Sequence, residues 1–223
     1  MFFRNNKTLI IIFTISLIFY LLSCFGVFDG LSEIVAHSLY NALGYTNKWS
    51  KTFGEPWFVN MNNNISAFGS KEIVLIFAIF ISVYLFKARN KTKALNFLLT
   101  VAGGIILLVV LKSFTSKNEI ISFKSFLTEN LSNFPSGHAF IATVLYLASA
   151  SAFKSHKHSS EVNVYFFTFA SILILLVGIS RIAVATHTIT EVIAGWSLGL
   201  SWYSFSEMVL KFNLPKKERS INK

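Results

Sequence analysis

Charge is scarce in this chain: Asp, Glu, Lys and Arg make up 13% of its 223 residues, whereas soluble globular domains carry about 25%. So few ionisable side chains cannot clothe a water-facing surface. With 53% hydrophobic residues, 24 Phe and a mean hydropathy of +0.58, the composition points to a bilayer. Cysteine is scarcer still, and Cys24 alone excludes an intrachain disulfide or a cysteine-rich metal site. No Pro-rich tract, Gly/Ser linker or internal repeat divides the chain, so residues 1–223 read as one unit. Acidic residues number 10 against 20 basic ones. That excess falls between apolar runs and forms no stripe interleaved with aromatics, which argues against a nucleic-acid partner.

What is abundant is the long apolar run. Six occur, at about 8–28, 72–88, 93–112, 137–153, 163–181 and 188–208, each approaching the ~20 residues that cross a hydrocarbon core. Backbone polar groups must be paired in lipid, and strand-like alternation is absent, so the expected fold is all-α, a bundle of six transmembrane helices. The N-terminal MFFRNNK and its apolar stretch are similar to a signal peptide. No A-x-A-like cleavage site follows, so the run is read as an uncleaved first span.

Lys and Arg set the expected orientation, because positively charged short loops stay in the cytoplasm. Of the 20, 13 fall on one side: Arg4, Lys7, the 87–93 cluster, Lys154, Lys157 and the basic C-terminal tail. Both termini are therefore expected in the cytoplasm of an inner (plasma) membrane protein. Residues 29–71, 113–136 and a short turn near 182–187 are expected outside, and the chemistry with them.

Two constellations occupy those outer segments. Pro135-Ser136-Gly137-His138 stands where an outer loop enters the fourth run. Ser136 is a favoured N-cap, Gly137 lets a ligand approach the backbone, and a helix N-terminus attracts anions. His138 stands beside that anion site as a candidate proton donor. By average composition this tetrapeptide arises by chance in roughly one such chain in a thousand. The second constellation is Ser180-Arg181, five residues, His187, three residues, Glu191. Arg181 offers a permanently charged fork for phosphate oxygens. His187 and Glu191, four apart, share a helix face, and the carboxylate can fix the imidazole tautomer and leave one ring nitrogen to attack phosphorus. Lys112, at the end of the third run, is by itself a snorkelling interface lysine; opposite these groups it reads as a phosphate contact.

These residues resemble the type-2 phosphatidic acid phosphatase (PAP2) superfamily, whose pattern is Lys, six residues, Arg-Pro; then Pro-Ser-Gly-His; then Ser-Arg, five residues, His, three residues, Asp. The second element is intact, and the third has Glu191 at the Asp position. The first is interrupted, with Glu119 and Ile120 where Arg-Pro would stand after Lys112. The resemblance implies a hydrolase of lipid phosphates or diphosphates that uses no metal or cofactor. It also implies that His187 is the nucleophile, Glu191 its orienting partner and His138 the proton donor. Arg181, Lys112, Ser136 and Gly137 would hold the phosphoryl oxygens. Lys117 or Lys124 could stand in for the lost Arg. The expected substrate is lipid A 1-phosphate, narrowly ahead of undecaprenyl diphosphate; phosphatidylglycerophosphate is a further alternative. A lipid phosphotransferase and a non-catalytic membrane binding protein are the competing readings.

Other residues read more plainly. Trp49, Trp57, Trp196 and Trp202 are expected interface anchors. Gly103 and Gly104, and the small-xxx-small pair Gly195 and Gly199, are expected to permit close helix approach within the bundle. The loop 29–71 is long enough for an amphipathic helix over the site. His37, His156 and His158 lack metal-binding partners and read as solvated or interfacial.

Overall fold

The computed structural model describes residues 6–43, 54–115, 134–154 and 159–212. Trp49, Phe53, Lys117, Glu119, Ile120, Lys124, His156, His158 and the tail from Lys216 lie outside the described residues. Eight α-helices occur among those described: α1 (Asn6–Cys24), α2 (Asp29–Leu43), α3 (Pro56–Ser66), α4 (Lys71–Lys87), α5 (Lys91–Thr115), α6 (Gly137–Phe153), α7 (Ser160–Ala183) and α8 (Ile189–Phe212). A short 3-10 turn, Ala67–Gly69, joins α3 to α4. No strand occurs among the described residues, so the fold is all-α.

Each of the six apolar runs folds as a helix. Of these, α1, α5 and α7 are long and apolar enough to cross a membrane, and a fourth crossing results if α3–α4, bent by 42°, counts as one. The other two depart from the simple pattern: α6 is apolar but only 17 residues long, and α8 carries Glu191 and Glu207. The first helix is also shorter than its run. It stops at Cys24 because Gly26 turns the chain at φ 71° and the Val27 N–H donates back to the Leu22 carbonyl, a glycine-terminated helix end.

Burial separates the helices by role. Twelve of the 17 residues of α6 are buried, Ala139 to Ala148 without a break, as expected for a helix apolar all round at the centre of a bundle. α5, α7 and α8 pack around it, and α1 lies along α8. The outer helices keep bulky apolar side chains exposed, among them Ile11, Phe80, Ile106 and Ile179, a pattern that suits contact with lipid. Small polar groups tie the helices together inside: Ser16 and Ser201 hydroxyls bond at 2.8 Å between α1 and α8, and Ser151 Oγ donates to Glu207 Oε1 at 2.7 Å between α6 and α8.

Glycine sets the closest approach. A Cβ on Gly195 would lie 2.6 Å from the Ser136 carbonyl oxygen, and one on Gly199 would lie 2.7 Å from Thr143 Cβ, so α8 crosses α6 on this glycine stripe. Trp196 and Trp202 do not act as the interface anchors expected of them. Trp196 fills the notch at Gly178, its Nε1–H donating to the Ile174 carbonyl at 3.1 Å. Trp202 fills the one at Gly103 and Gly104 and donates to the Thr100 carbonyl at 2.8 Å. Those glycines therefore admit an indole rather than a neighbouring backbone; satisfying the ring N–H inside the protein is what removes the need for an interface.

Candidate active site

The sequence-selected residues gather at one end of the bundle: Lys112 in the last turn of α5, Ser136 to His138 at the start of α6, Arg181 in the last turn of α7, His187 in the following turn, and Glu191 in the first turn of α8. The turn carrying His187 is built by the end of α7. Ala185 takes the left-handed conformation at φ 57°, and the Thr186 and His187 N–H groups both donate to the Arg181 carbonyl at 3.2 Å. The five-residue spacing thus folds His187 back onto the end of α7, beside Arg181.

The Thr188 side chain then opens α8 reciprocally. Glu191 N–H donates to Thr188 Oγ1 at 3.2 Å, while Thr188 N–H donates to Glu191 Oε2 at 3.0 Å. This is a capping box. The same Oε2 accepts from His187 Nδ1 at 2.7 Å. Because a carboxylate only accepts, Nδ1 carries the proton and Nε2 keeps its lone pair. One oxygen therefore both starts the helix and fixes the imidazole.

Backbone contacts join the other constellation to this one. Ser136 N–H donates to the Glu191 carbonyl at 3.0 Å, and the ladder of α6 begins with Phe140 N–H on the Ser136 carbonyl. Ser136 occupies the N-cap position but makes no side-chain capping bond. Its Oγ is buried without a hydrogen-bond partner among the described residues, an arrangement that costs about 1–3 kcal/mol. A Cβ on Gly137 would stand 3.7 Å from Lys112 Nζ, so the buried lysine side chain lies directly over this glycine.

One contributor was not foreseen: Ser66, at the end of α3, accepts a hydrogen bond from Arg181 Nη1 at 3.1 Å. It belongs to no motif; only the close seating of the 67–69 turn on α6 brings it here. The expected helix from the 29–71 segment is α2, latched through Asp29 and Ser32 to Thr190 of α8. Ser32, Val35, Ala36 and Leu39 line a cleft of about 200 Å³ beside His187.

Residues 93–212 match the PAP2 superfamily. The chain is 28% identical over 167 residues to phosphatidylglycerophosphatase B of Bacillus subtilis (strain 168), covering 71% of this chain and 80% of that protein. Its fold is similar to the crystal structure of the first transmembrane PAP2 type phosphatidylglycerolphosphate phosphatase from Bacillus subtilis. The TM-score is 0.70 at 21% identity, over 93% of this chain and 98% of that one.

Proposed function

The chain belongs to the PAP2 superfamily, and on that premise we propose that it cleaves the terminal phosphate of a glycerophospholipid monoester at the outer leaflet through a phosphohistidine. It is an integral membrane phosphoric ester hydrolase acting on lipid phosphate. The observation that carries the mechanism is the 2.7 Å contact from His187 Nδ1 to Glu191 Oε2. It leaves Nε2 as the nucleophile, and the carboxylate offsets the positive charge the ring gains on attacking phosphorus.

His187 Nε2 forms the N–P bond as the ester P–O bond breaks. His138 gives its proton to the departing lipid oxygen. Lys112, Arg181, the Ser136 hydroxyl and the Gly137 backbone N–H hold the three phosphoryl oxygens, where charge grows in the transition state. Water, deprotonated by His138, then breaks the N–P bond and releases orthophosphate. The buried, unpartnered Ser136 Oγ supports a role in binding oxygen.

The similarity to phosphatidylglycerophosphatase B favours phosphatidylglycerophosphate as substrate. Lipid A 1-phosphate, expected from the interrupted first motif, has no comparable support. The Lys/Arg asymmetry favours an inner-membrane protein with cytoplasmic termini and the site outside.

Phosphate release from purified protein, offered phosphatidylglycerophosphate, undecaprenyl diphosphate or lipid A 1-phosphate, tests the reading, with His187→Ala as control. The expected result is release from the first lipid and none from the control. Label moving only to an acceptor lipid would establish a phosphotransferase instead.

A further inference from the structure

We propose that Ser66 is a positioning residue of this site, whose hydroxyl oxygen orients the Arg181 guanidinium for a phosphoryl group before the lipid arrives; the assignment rests on the phosphohydrolase reading above. Ser66 Oγ accepts from Arg181 Nη1 at 3.1 Å, and only 2% of the residue is exposed, so water does not compete for the bond. A serine hydroxyl within a helix ordinarily turns back to the carbonyl three or four residues earlier, as those of Ser23, Ser82 and Ser180 do. Asn62, one turn before Ser66 and also buried, likewise gives its amide N–H to the Phe58 carbonyl of its own helix. The oxygen of Ser66 reaches across to α7 instead.

The turn that follows fixes where that oxygen stands. The Tyr146 hydroxyl of α6 donates to the Phe68 carbonyl at 2.7 Å. Gly69 then packs so closely that a Cβ there would lie 2.9 Å from the His138 carbonyl oxygen and 2.6 Å from Val177 Cγ1. Val177 is one helical turn before Arg181 on α7. Ser66 is therefore held against both the backbone of His138 and the stretch of α7 that carries Arg181. An arginine matches phosphate through a planar fork, and the match is lost when the long side chain is free to rotate. Holding one fork nitrogen on a rigid neighbour lowers the ordering cost of binding the anion. A hydroxyl does this with no negative charge of its own, which a carboxylate at position 66 would bring.

The test reads phosphate release together with inhibition by orthovanadate, a phosphate analogue, and reads vanadate binding separately as the rise in thermal midpoint it produces, which needs no turnover. Ser66→Ala is expected to lower kcat/KM and to raise the vanadate inhibition constant, each by about tenfold. Ser66→Cys keeps the shape but offers only a weak sulfur acceptor; the same losses are expected from it, and it decides the matter if the alanine variant does not fold. Arg181→Lys keeps the charge, and with it some vanadate affinity, but has no fork to hold. In that background Ser66→Ala should change the vanadate constant and the midpoint shift no further, because the two residues act as one unit. Asn62→Ala removes a buried hydrogen bond from the same helix face and should lower the thermal midpoint without altering the vanadate constant. Unchanged kcat/KM and vanadate inhibition in the Ser66 variants, a full further loss in the Arg181→Lys background, or an equal loss in Asn62→Ala overturns the assignment. If the unaltered protein releases no phosphate, or His187→Ala still releases it, the phosphohydrolase reading fails by itself, and the midpoint shifts still judge Ser66.

Discussion

Glu191 shows how a departure from a motif acquires a physical reason. Its Oε2 accepts from both His187 Nδ1 and Thr188 N–H, so the carboxylate at the motif position also belongs to the capping box of α8. Glu191→Gln separates these roles, because the amide oxygen still accepts from Thr188 N–H while the charge beside the imidazole is gone. Phosphate release should fall by roughly 100- to 10,000-fold with the thermal midpoint nearly unchanged. Glu191→Ala removes both and should cost about 1 kcal/mol of stability besides. Glu191→Asp keeps the charge and is expected to retain activity at a reduced rate; total loss in steady-state assays would show that α8 requires the longer side chain. The motif residues were legible because their chemistry and spacing are local. Ser66 was not, since its place beside Arg181 is made by the seating of the 67–69 turn, for which the sequence offers no periodic signal.

Helices bring those residues within reach, and glycine decides how closely. The stripe Gly195 and Gly199 was legible as small-xxx-small spacing, and it carries α8 onto α6 so that Glu191 and Ser136 meet through their backbones. Gly195→Ala would press a methyl group to within 2.6 Å of the Ser136 carbonyl. Overpacking of this kind costs about 1–3 kcal/mol, and here it also moves the Pro-Ser-Gly-His turn away from His187. Thermal unfolding in detergent should register the loss, and phosphate release should fall further than the remaining folded fraction accounts for. The notches that hold Trp196 and Trp202 were not legible, because a tryptophan facing a neighbouring helix and one facing the interface share the same local sequence pattern. The turn after α7 offers the opposite experiment. Ala185 holds φ 57°, a conformation that costs an L-residue about 1–2 kcal/mol. Ala185→Gly should raise the thermal midpoint, and no gain in stability would show that the rest of the turn already absorbs the strain.

The all-helical character of the molecule follows from composition, since a chain with this little charge must hide its backbone within helices to enter lipid. The number of crossings is harder to read, because α6 owes its burial to protein neighbours rather than to length, and the α3–α4 pair bends by 42° at its break. Orientation rests on charge asymmetry, and the chain carries its own reporter for it. Cys24 is the single cysteine of the sequence, is exposed, and ends α1. It shares a surface cleft with Phe134, Thr188, Thr190 and Glu191, so whichever side of the membrane holds Cys24 also holds His187 and Glu191. With the N-terminus in the cytoplasm, α1 delivers Cys24 to the outer face. A membrane-impermeant maleimide should therefore label intact cells or right-side-out vesicles without permeabilisation, and Cys24→Ser should abolish the signal. Labelling that appears only after permeabilisation would invert the topology and move the phosphatase chemistry to the cytoplasmic leaflet. The distances within the site would stand, but the lipid pool it can reach would change.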